Sequence, residues 1–331
     1  MANISIVGTG AVGTAIALEL QAQGHRISLI AETLPGNKQI TSDLAAGIGC
    51  IFKPSSPLVA ELVLDSYEDY MSLAHSESCA PVQNTKLNIV THNDKMPAWA
   101  SRVKDYTVIS ETRATYDTYS FHPGQLGNWR VRTLEENGAT IKNRTLSDME
   151  IEALRDGNQL KGDDYTILTM GLSTRDILPE LHLYPVRGVL VHFGAGSFNY
   201  TASKSYMNED SASYIIDRPG GPIIGGTFDR FVGSCTEDQK LEIGARIVDN
   251  AVREFCEDEL ARERFNFQLR EDITAGYRPA VSGDPILDYG DKNRRVAVIT
   301  GFSGQGWVTG FELARRVREH VESNMFPSAV V

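Results

Sequence analysis

Cysteine is scarce. Four residues in 331 (Cys50, Cys79, Cys235 and Cys256) lie scattered, without C-x-x-C spacing or a histidine pattern. That argues against a metal site and points to reduced thiols in a cytoplasmic protein. Long apolar runs are also missing: none approaches the ~18 residues of a membrane span, so no membrane association is expected. The apolar start has no basic leader and flows into a glycine turn, so it reads as a first strand and not as a signal peptide. Positive charge is in deficit, 32 Lys and Arg against 43 Asp and Glu, for a net charge of −11. Without a basic stripe, nucleic acid is not an expected partner. Neither internal repeats nor low-complexity tracts occur. Asn143-Arg-Thr145 and Asn199-Tyr-Thr201 fit the glycosylation pattern but lack the secretory leader that gives it meaning. The final Pro-Ser-Ala-Val-Val331 is not a peroxisomal S-K-L address.

What the chain does have is glycine at both ends. Gly8-Thr-Gly10-Ala-Val-Gly13 follows the apolar run Ile4 to Val7, and Gly301-Phe-Ser-Gly304-Gln-Gly306 follows Val296 to Thr300. A strand ending in such a turn and opening a helix aims free N–H groups and a positive helix end at one point. In the first unit Gly8 permits the tight turn, Gly10 lets backbone approach a pyrophosphate, and Gly13 allows helix to pack on strand. Arg26 to Ala31 reads as the second strand. Glu32 at its tip is where a carboxylate bonds a ribose hydroxyl, and its charge disfavours a 2′-phosphate. Two such turns suggest one ligand gripped from both sides, which favours a flavin over a nicotinamide. The small-residued run Thr41-Ser42-Asp43-Leu-Ala-Ala46-Gly47-Ile48 suits backbone passing beside an extended cofactor.

The remaining texture alternates. A helix is expected from Thr14 to Gln23, and antiparallel strands and loops through 51–134, including Tyr106 to Ser110 and Thr115 to Phe121. Trp129 to Gly138 reads as a helix, followed by strands near Thr140 and at Tyr165 to Met170. Strand-like alternation returns at Arg187 to His192, Tyr214 to Ile216 and Ile223 to Gly226. Glu237 to Phe255 is an amphipathic helix, and a helix running to about His320 follows the second glycine turn. This interleaving predicts an α/β fold: a discontinuous Rossmann-type nucleotide domain (1–50, 135–185, 270–331) with an inserted mixed or antiparallel β-sheet domain (51–134, 186–269).

On these residues the chain resembles the D-amino-acid oxidase family of flavoproteins, nearly end to end. The family's acidic residue followed by T-T-D-x-A-A-G is echoed by Glu32 and Thr41 to Gly47. Its P-x-R-G appears as Pro185-Val-Arg187-Gly188 and its G-F-R-P as Gly276-Tyr-Arg278-Pro279. Its final G-H-G-G-x-G appears as Gly301 to Gly306, and its S-P-Y-I-I-P-G more loosely as Ser211 to Ile216. The resemblance implies bound FAD lined by Gly8, Thr9, Gly10, Ala11, Val12, Gly13, Glu32, Thr41, Ser42, Ala46, Gly47 and Ile48. It further implies Thr145 at the adenine end, and Ser303, Gly304, Gly306 and Trp307 at the flavin ring. By the same resemblance the discontinuous Rossmann-type domain is expected to be the FAD-binding domain and the inserted β-sheet domain the substrate domain.

Arg278 is the expected substrate anchor, because a guanidinium grips a carboxylate bidentately and stays protonated. Tyr214 matches a family tyrosine whose hydroxyl supports the same carboxylate. The family's other lid tyrosine falls here on Asp210. Either Tyr206 replaces it, or an acidic lid favours a substrate with a second cation, or the charge is merely solvated. Gln305 either orients water or substrate or faces solvent. His182 and His192 read as structural.

The implied reaction is hydride transfer from Cα of an amino acid, most simply a D-amino acid, to the flavin. It gives an imine, then a 2-oxo acid and ammonia, with hydrogen peroxide if oxygen is the acceptor. Secondary amines of the glycine, sarcosine or proline type are the alternative on the same fold. An NAD-dependent dehydrogenase using only the first turn and a non-enzymatic flavin-binding protein remain further alternatives. A homodimer is compatible with the resemblance.

Overall fold

The computed structural model describes residues 1–331 except 37, 52–53, 77–78, 91–97, 195–203, 209–212, 231–232, 256–269, 290–294 and 326–331. The chain opens with β1 (Asn3–Val7), α1 (Ala11–Ala22) and β2 (Arg26–Ala31), then α2 (Pro57–His75), β3 (Val82–Val90), β4 (Thr107–Ser110) and β5 (Arg113–Phe121). Next come α3 (Pro123–Glu136), β6 (Thr140–Asn143), α4 (Asp148–Arg155), β7 (Tyr165–Leu168) and the short α5 (Thr174–Ile177). The run β8 (Tyr184–Phe193), β9 (Lys204–Asn208), β10 (Tyr214–Ile216), β11 (Ile223–Gly225) and β12 (Asp229–Arg230) precedes α6 (Glu237–Phe255). The chain then adds β13 (Arg270–Ala280), β14 (Ile286–Asp288), β15 (Val296–Thr300) and α7 (Gly310–Met325).

Two sheets organise these elements. The six-stranded sheet has the order β14-β15-β7-β1-β2-β6, with every pairing parallel except that of edge strand β14. Its central strands are largely apolar because helices cover them: Ile4, Ile6 and Leu29 are buried against α1, α2 and α7. The nine-stranded sheet has the order β12-β8-β11-β10-β9-β3-β5-β4, with β13 pairing β8 along its length. Its pairings are antiparallel apart from β3 with β9. On one face α6 seats Ile243, Ile247 and Ala251 against Val189, Val191, Ile215 and Ile224.

The structure departs from the sequence reading in two informative places. Residues 57–75, expected among strands and loops, form a helix capped by Ser56, whose hydroxyl accepts from Val59 N, with Pro57 in the first turn. Its buried Val59, Leu62, Val63, Ser66, Tyr67, Tyr70 and Met71 recur at helical spacing and pack with α7 in the core of the smaller sheet. Helix α3 begins at Pro123, ahead of the expected Trp129, because His122 caps it through Nδ1, accepting from Gln125 N at 3.3 Å. Asn199 to Thr201, Asp210 and Cys256 lie outside the described residues. Among the described residues, no helix is long and apolar enough to cross a membrane.

Candidate active site

Five parallel strands, in the order β6-β2-β1-β7-β15, bring their carboxyl ends to one cavity of about 690 Å³. The chain runs from β1 through β2 to β6 on one side and then returns to β7 on the other side of β1, so the switch point at which open α/β sheets bind ligands falls between β1 and β7. The lining comes from the segments just beyond each strand: Gly8 to Val12, Glu32 and Thr33, Arg144 to Leu146, Thr169 to Ser173, and Gly301 to Val308.

The first glycine turn is built for close approach. Gly8 takes φ +113°, and a Cβ there would fall 2.6 Å from Thr169 O. Thr169 Oγ1 donates within reach of Val7 O and Gly8 O, both at 3.1 Å, locking β7 to the turn. Gly13 does not line the cavity: a Cβ there would collide with Gly8 O, so its role is packing. Gly10 caps α1 without a side chain, and no acidic residue occupies the first turn, so the positive helix end is left for an anion. Ser42 Oγ accepts from Ala11 N at 3.0 Å, tying the Thr41–Leu44 turn to the helix. At the tip of β2, Asn143 Nδ2 donates to Glu32 O at 2.7 Å and Ala31 O at 3.0 Å.

The second turn closes on the first. Trp307 Nε1 donates to Ser42 O at 2.8 Å, and a Cβ on Gly306 would lie 3.5 Å from Val12 Cγ2. Behind this seam sits a buried polar group. Arg130 Nη1 donates to Ala11 O at 3.1 Å and Nη2 to the Tyr70 hydroxyl at 2.9 Å, while that hydroxyl donates to Trp307 O. The Arg130 guanidinium also lies 5.0 Å from the Trp307 ring centroid.

At the other end of the cavity stands Arg278, on β13 where it pairs with Val186 of β8. Its Nη1 donates to Thr227 O at 2.9 Å and Arg187 O at 3.4 Å, and its guanidinium lies 4.2 Å from the Phe228 ring centroid. Nε and Nη2 have no partner among the described residues. Asp229, the nearest acid, is paired to Arg187 at 3.0 Å. Burial pushes the Arg278 pKa down, opposed by Tyr214 and Asp229, yet a guanidinium remains protonated at neutral pH. Gly188 makes the flat placement feasible, since any Cβ there would collide with the guanidinium. Tyr214 is 4 % exposed, and a Cβ on Gly225 or Gly226 would strike its ring. Burial raises its hydroxyl pKa, against the Arg278 and Arg218 charges, so it stays a hydrogen-bond donor.

The structure gathers nearly all the residues singled out in the sequence around this cavity: Gly8 to Val12, Glu32, Thr41, Ser42, Ala46 to Ile48, Thr145, Ser303 to Trp307, Tyr214 and Arg278. Gln305 lines it at 7 % exposure, which removes the solvent-facing alternative. Thr145 O accepts from Arg144 Nη1 at 2.8 Å, which leaves the carbonyl one further lone pair. Tyr206 packs against Phe255 of α6, ring centroids 5.8 Å apart, on the sheet face away from the cavity, so it does not take the lid position. Asp210 lies outside the described residues. Sequence reasoning missed Thr169, Cys50, Met207 and Phe228, which also line the cavity. Only Thr169 carried a usable signal, as the residue just past the carboxyl end of a parallel strand.

The fold and cavity together define an enzyme of the dinucleotide-binding α/β class, with a buried arginine in the cavity wall. Residues 3–320 match the family model described as DAO, FAD dependent oxidoreductase, and the chain belongs to that family. Solved structures share the fold. Glycine oxidase from Geobacillus kaustophilus aligns with a TM-score of 0.74 at 16% identity, covering 97% of this chain and 95% of that one. L-proline dehydrogenase from P. horikoshii gives 0.68 at 16% identity, covering 96% and 92%. Dithionite-reduced L-alpha-glycerophosphate oxidase from Mycoplasma pneumoniae, with FAD bound, gives 0.68 at 14% identity, covering 97% and 94%. The protein is an oxidoreductase and its cofactor is FAD. The residues present fit that group: a helix start with no acidic residue in its first turn for the pyrophosphate, a carboxylate at the β2 tip for the ribose, and a cradle at Gly10 where a Cβ would lie 2.9 Å from Ser42 Oγ.

Proposed function

We propose that this enzyme oxidises the carbon–nitrogen bond of a small amino acid, a D-amino acid first among them. The observation that carries the reading is the state of Arg278: a guanidinium at the cavity wall, flattened against a ring, with two donors unengaged and no ion pair among the described residues. Such a group is costly to bury without an anionic partner, and a substrate carboxylate supplies one bidentately. FAD supplies the two-electron acceptor when bound. Arg278 fixes the carboxylate through Nε and Nη2, and the Tyr214 hydroxyl supports it. The Ile48, Met207 and Phe228 side of the cavity excludes water from the remainder of the substrate. The amine enters as its free base, Cα gives up a hydride, and the resulting imine hydrolyses to a 2-oxo acid and ammonia.

The six-stranded sheet is the proposed FAD-binding part, and the nine-stranded sheet the substrate part. The apolar wall accepts an N-alkyl group as readily as a hydrogen, which keeps secondary amines in view. The cytoplasm is the proposed compartment, supported by the scarcity and scatter of the cysteines in the sequence.

The test is anaerobic bleaching of the bound flavin by a panel of D- and L-amino acids, glycine, sarcosine and proline, followed by admission of oxygen. Bleaching by D-amino acids supports the reading, and bleaching confined to sarcosine or proline moves it to secondary amines. Flavin that none of them reduces overturns it. The rate of recolouring in oxygen separates an oxidase from a dehydrogenase.

A further inference from the structure

The cavity wall formed by Ala45 to Ile48 has an unusual electrical arrangement. Arg218 Nη1 donates to Ala45 O at 2.8 Å and to Ala46 O at 2.9 Å, while Gly47 O accepts from Phe121 N at 2.8 Å. All three peptide units are trans, so their N–H groups, on Ala46, Gly47 and Ile48, point opposite to the engaged carbonyls. None of these three donors is used by a described residue.

Arg218 itself does not line the cavity and is 4 % exposed. It has no ion pair among the described residues, and its Nε is buried without a hydrogen-bond partner. Its remaining neighbour is His192 Nδ1 at 3.4 Å from Nη2; because Arg only donates, that nitrogen accepts, and Nε2 donates to Thr274 Oγ1 at 2.8 Å. Burial first, then the Arg218 charge, holds the His192 pKa down to about 4, so the imidazole is neutral at pH 7. Burial lowers Arg218 to about 10, which leaves it charged. One uncompensated positive charge therefore stands behind two aligned peptide dipoles.

We propose that Arg218 is a positioning residue for the redox step: its charge, passed through the 45–46 and 46–47 peptide units, presents polarised N–H donors that stabilise negative charge on the reduced flavin and raise its reduction potential. The physics is that of any preorganised donor aimed at developing charge in a poorly solvated site. The inference rests on the reading that this wall meets the flavin, and is independent of the substrate's identity.

The experiment compares FAD-loaded Arg218→Met, Arg218→Lys and His192→Asp with the unaltered protein. It measures the midpoint potential by dye-equilibrated reduction, the sulfite affinity of the oxidised flavin, and FAD affinity by fluorescence. Arg218→Met is expected to retain FAD but shift the reduction equilibrium and weaken sulfite binding by about tenfold, which for a two-electron couple is about 30 mV. Arg218→Lys returns most of the shift. Unchanged potential and sulfite affinity in Arg218→Met overturn the proposal, and so does an equal loss in Arg218→Lys, which would make the fork's shape the cause and not its charge. If Arg218→Met fails to fold, His192→Asp decides. It keeps the guanidinium and sets a carboxylate beside it, so both quantities fall, and unchanged values overturn the proposal. No substrate enters these measurements, so they stand or fall separately from the bleaching panel.

Discussion

Arg278 lies flat between the Phe228 ring and the Gly188 backbone, with Gly304 close on another side, where a Cβ would be 3.3 Å from Arg278 Cδ. Its surroundings therefore tolerate almost no added volume. Gly188→Ala is expected to displace the guanidinium and raise KM for the amino acid at least tenfold, while the spectrum of bound FAD stays unchanged. Arg278→Ala removes one half of a buried charge pair, a loss of roughly 2–5 kcal/mol, read as a drop in kcat/KM of roughly 30- to 5,000-fold with the flavin retained. At the same scale, His122 and His192 are both pushed down to about 4 by burial, each helped by the Arg218 charge. Below the ordinary histidine value of 6.5 the unfolded chain takes up protons that the folded chain refuses. Stability thus falls as pH drops from 6.5 to 4, and His192→Gln flattens part of that fall in urea unfolding midpoints. Arg278 was legible because a proline and an aromatic residue flank it in a recognisable motif. Arg218 was not, since nothing adjacent in sequence announces that its partners are carbonyls of residues 45 and 46.

Helix α2 shows what an element contributes beyond its own length. Its Asp65 and Asp69 meet Arg316 and Arg315 of α7 at 3.5 and 2.9 Å, and Glu61 meets Arg316 at 3.0 Å, but these part-exposed pairs add little individually. Its main contribution is Tyr70, fully buried, bridging Arg130 to the second glycine turn. Tyr70→Phe leaves Arg130 Nη2 without its hydroxyl acceptor and Trp307 O with Gly310 N as its remaining donor. The expected cost is about 1–3 kcal/mol in denaturant unfolding, with weaker FAD binding because the Trp307 seam loosens. Sequence reading took this stretch for strands and loops because tyrosines and valines favour sheets on composition. Spacing, from Val59 through Met71, was the better guide. Helix α6 was legible end to end, since its polar face and single apolar stripe leave no competing pattern.

The whole molecule converges on its cavity from both ends of the sequence. A ligand that binds only the folded form stabilises it by mass action, so FAD added to apoprotein at a hundredfold excess over its Kd is expected to add ~2.7 kcal/mol. Differential scanning calorimetry at several FAD concentrations reads this directly. The strand–turn–helix units at the two termini were legible because each is local, its strand, turn and helix contiguous. The nine-stranded sheet was legible only as a texture. Its pairings join distant segments, β3 with β9 and β8 with β13, and a period of two does not name a partner. β13 begins at the boundary drawn for the return to the cofactor layer, yet it pairs with β8 of the larger sheet along its length.

The hydrogen bond from Trp307 to Ser42 also sets an order of events during synthesis. Residues 1–48 leave the ribosome well before residues 301–308, and at ~5–20 residues per second the nascent chain spends many seconds with one wall of its chamber absent. Firm capture of the dinucleotide is therefore expected to wait until residues 301–308 dock, however early residues 1–48 fold.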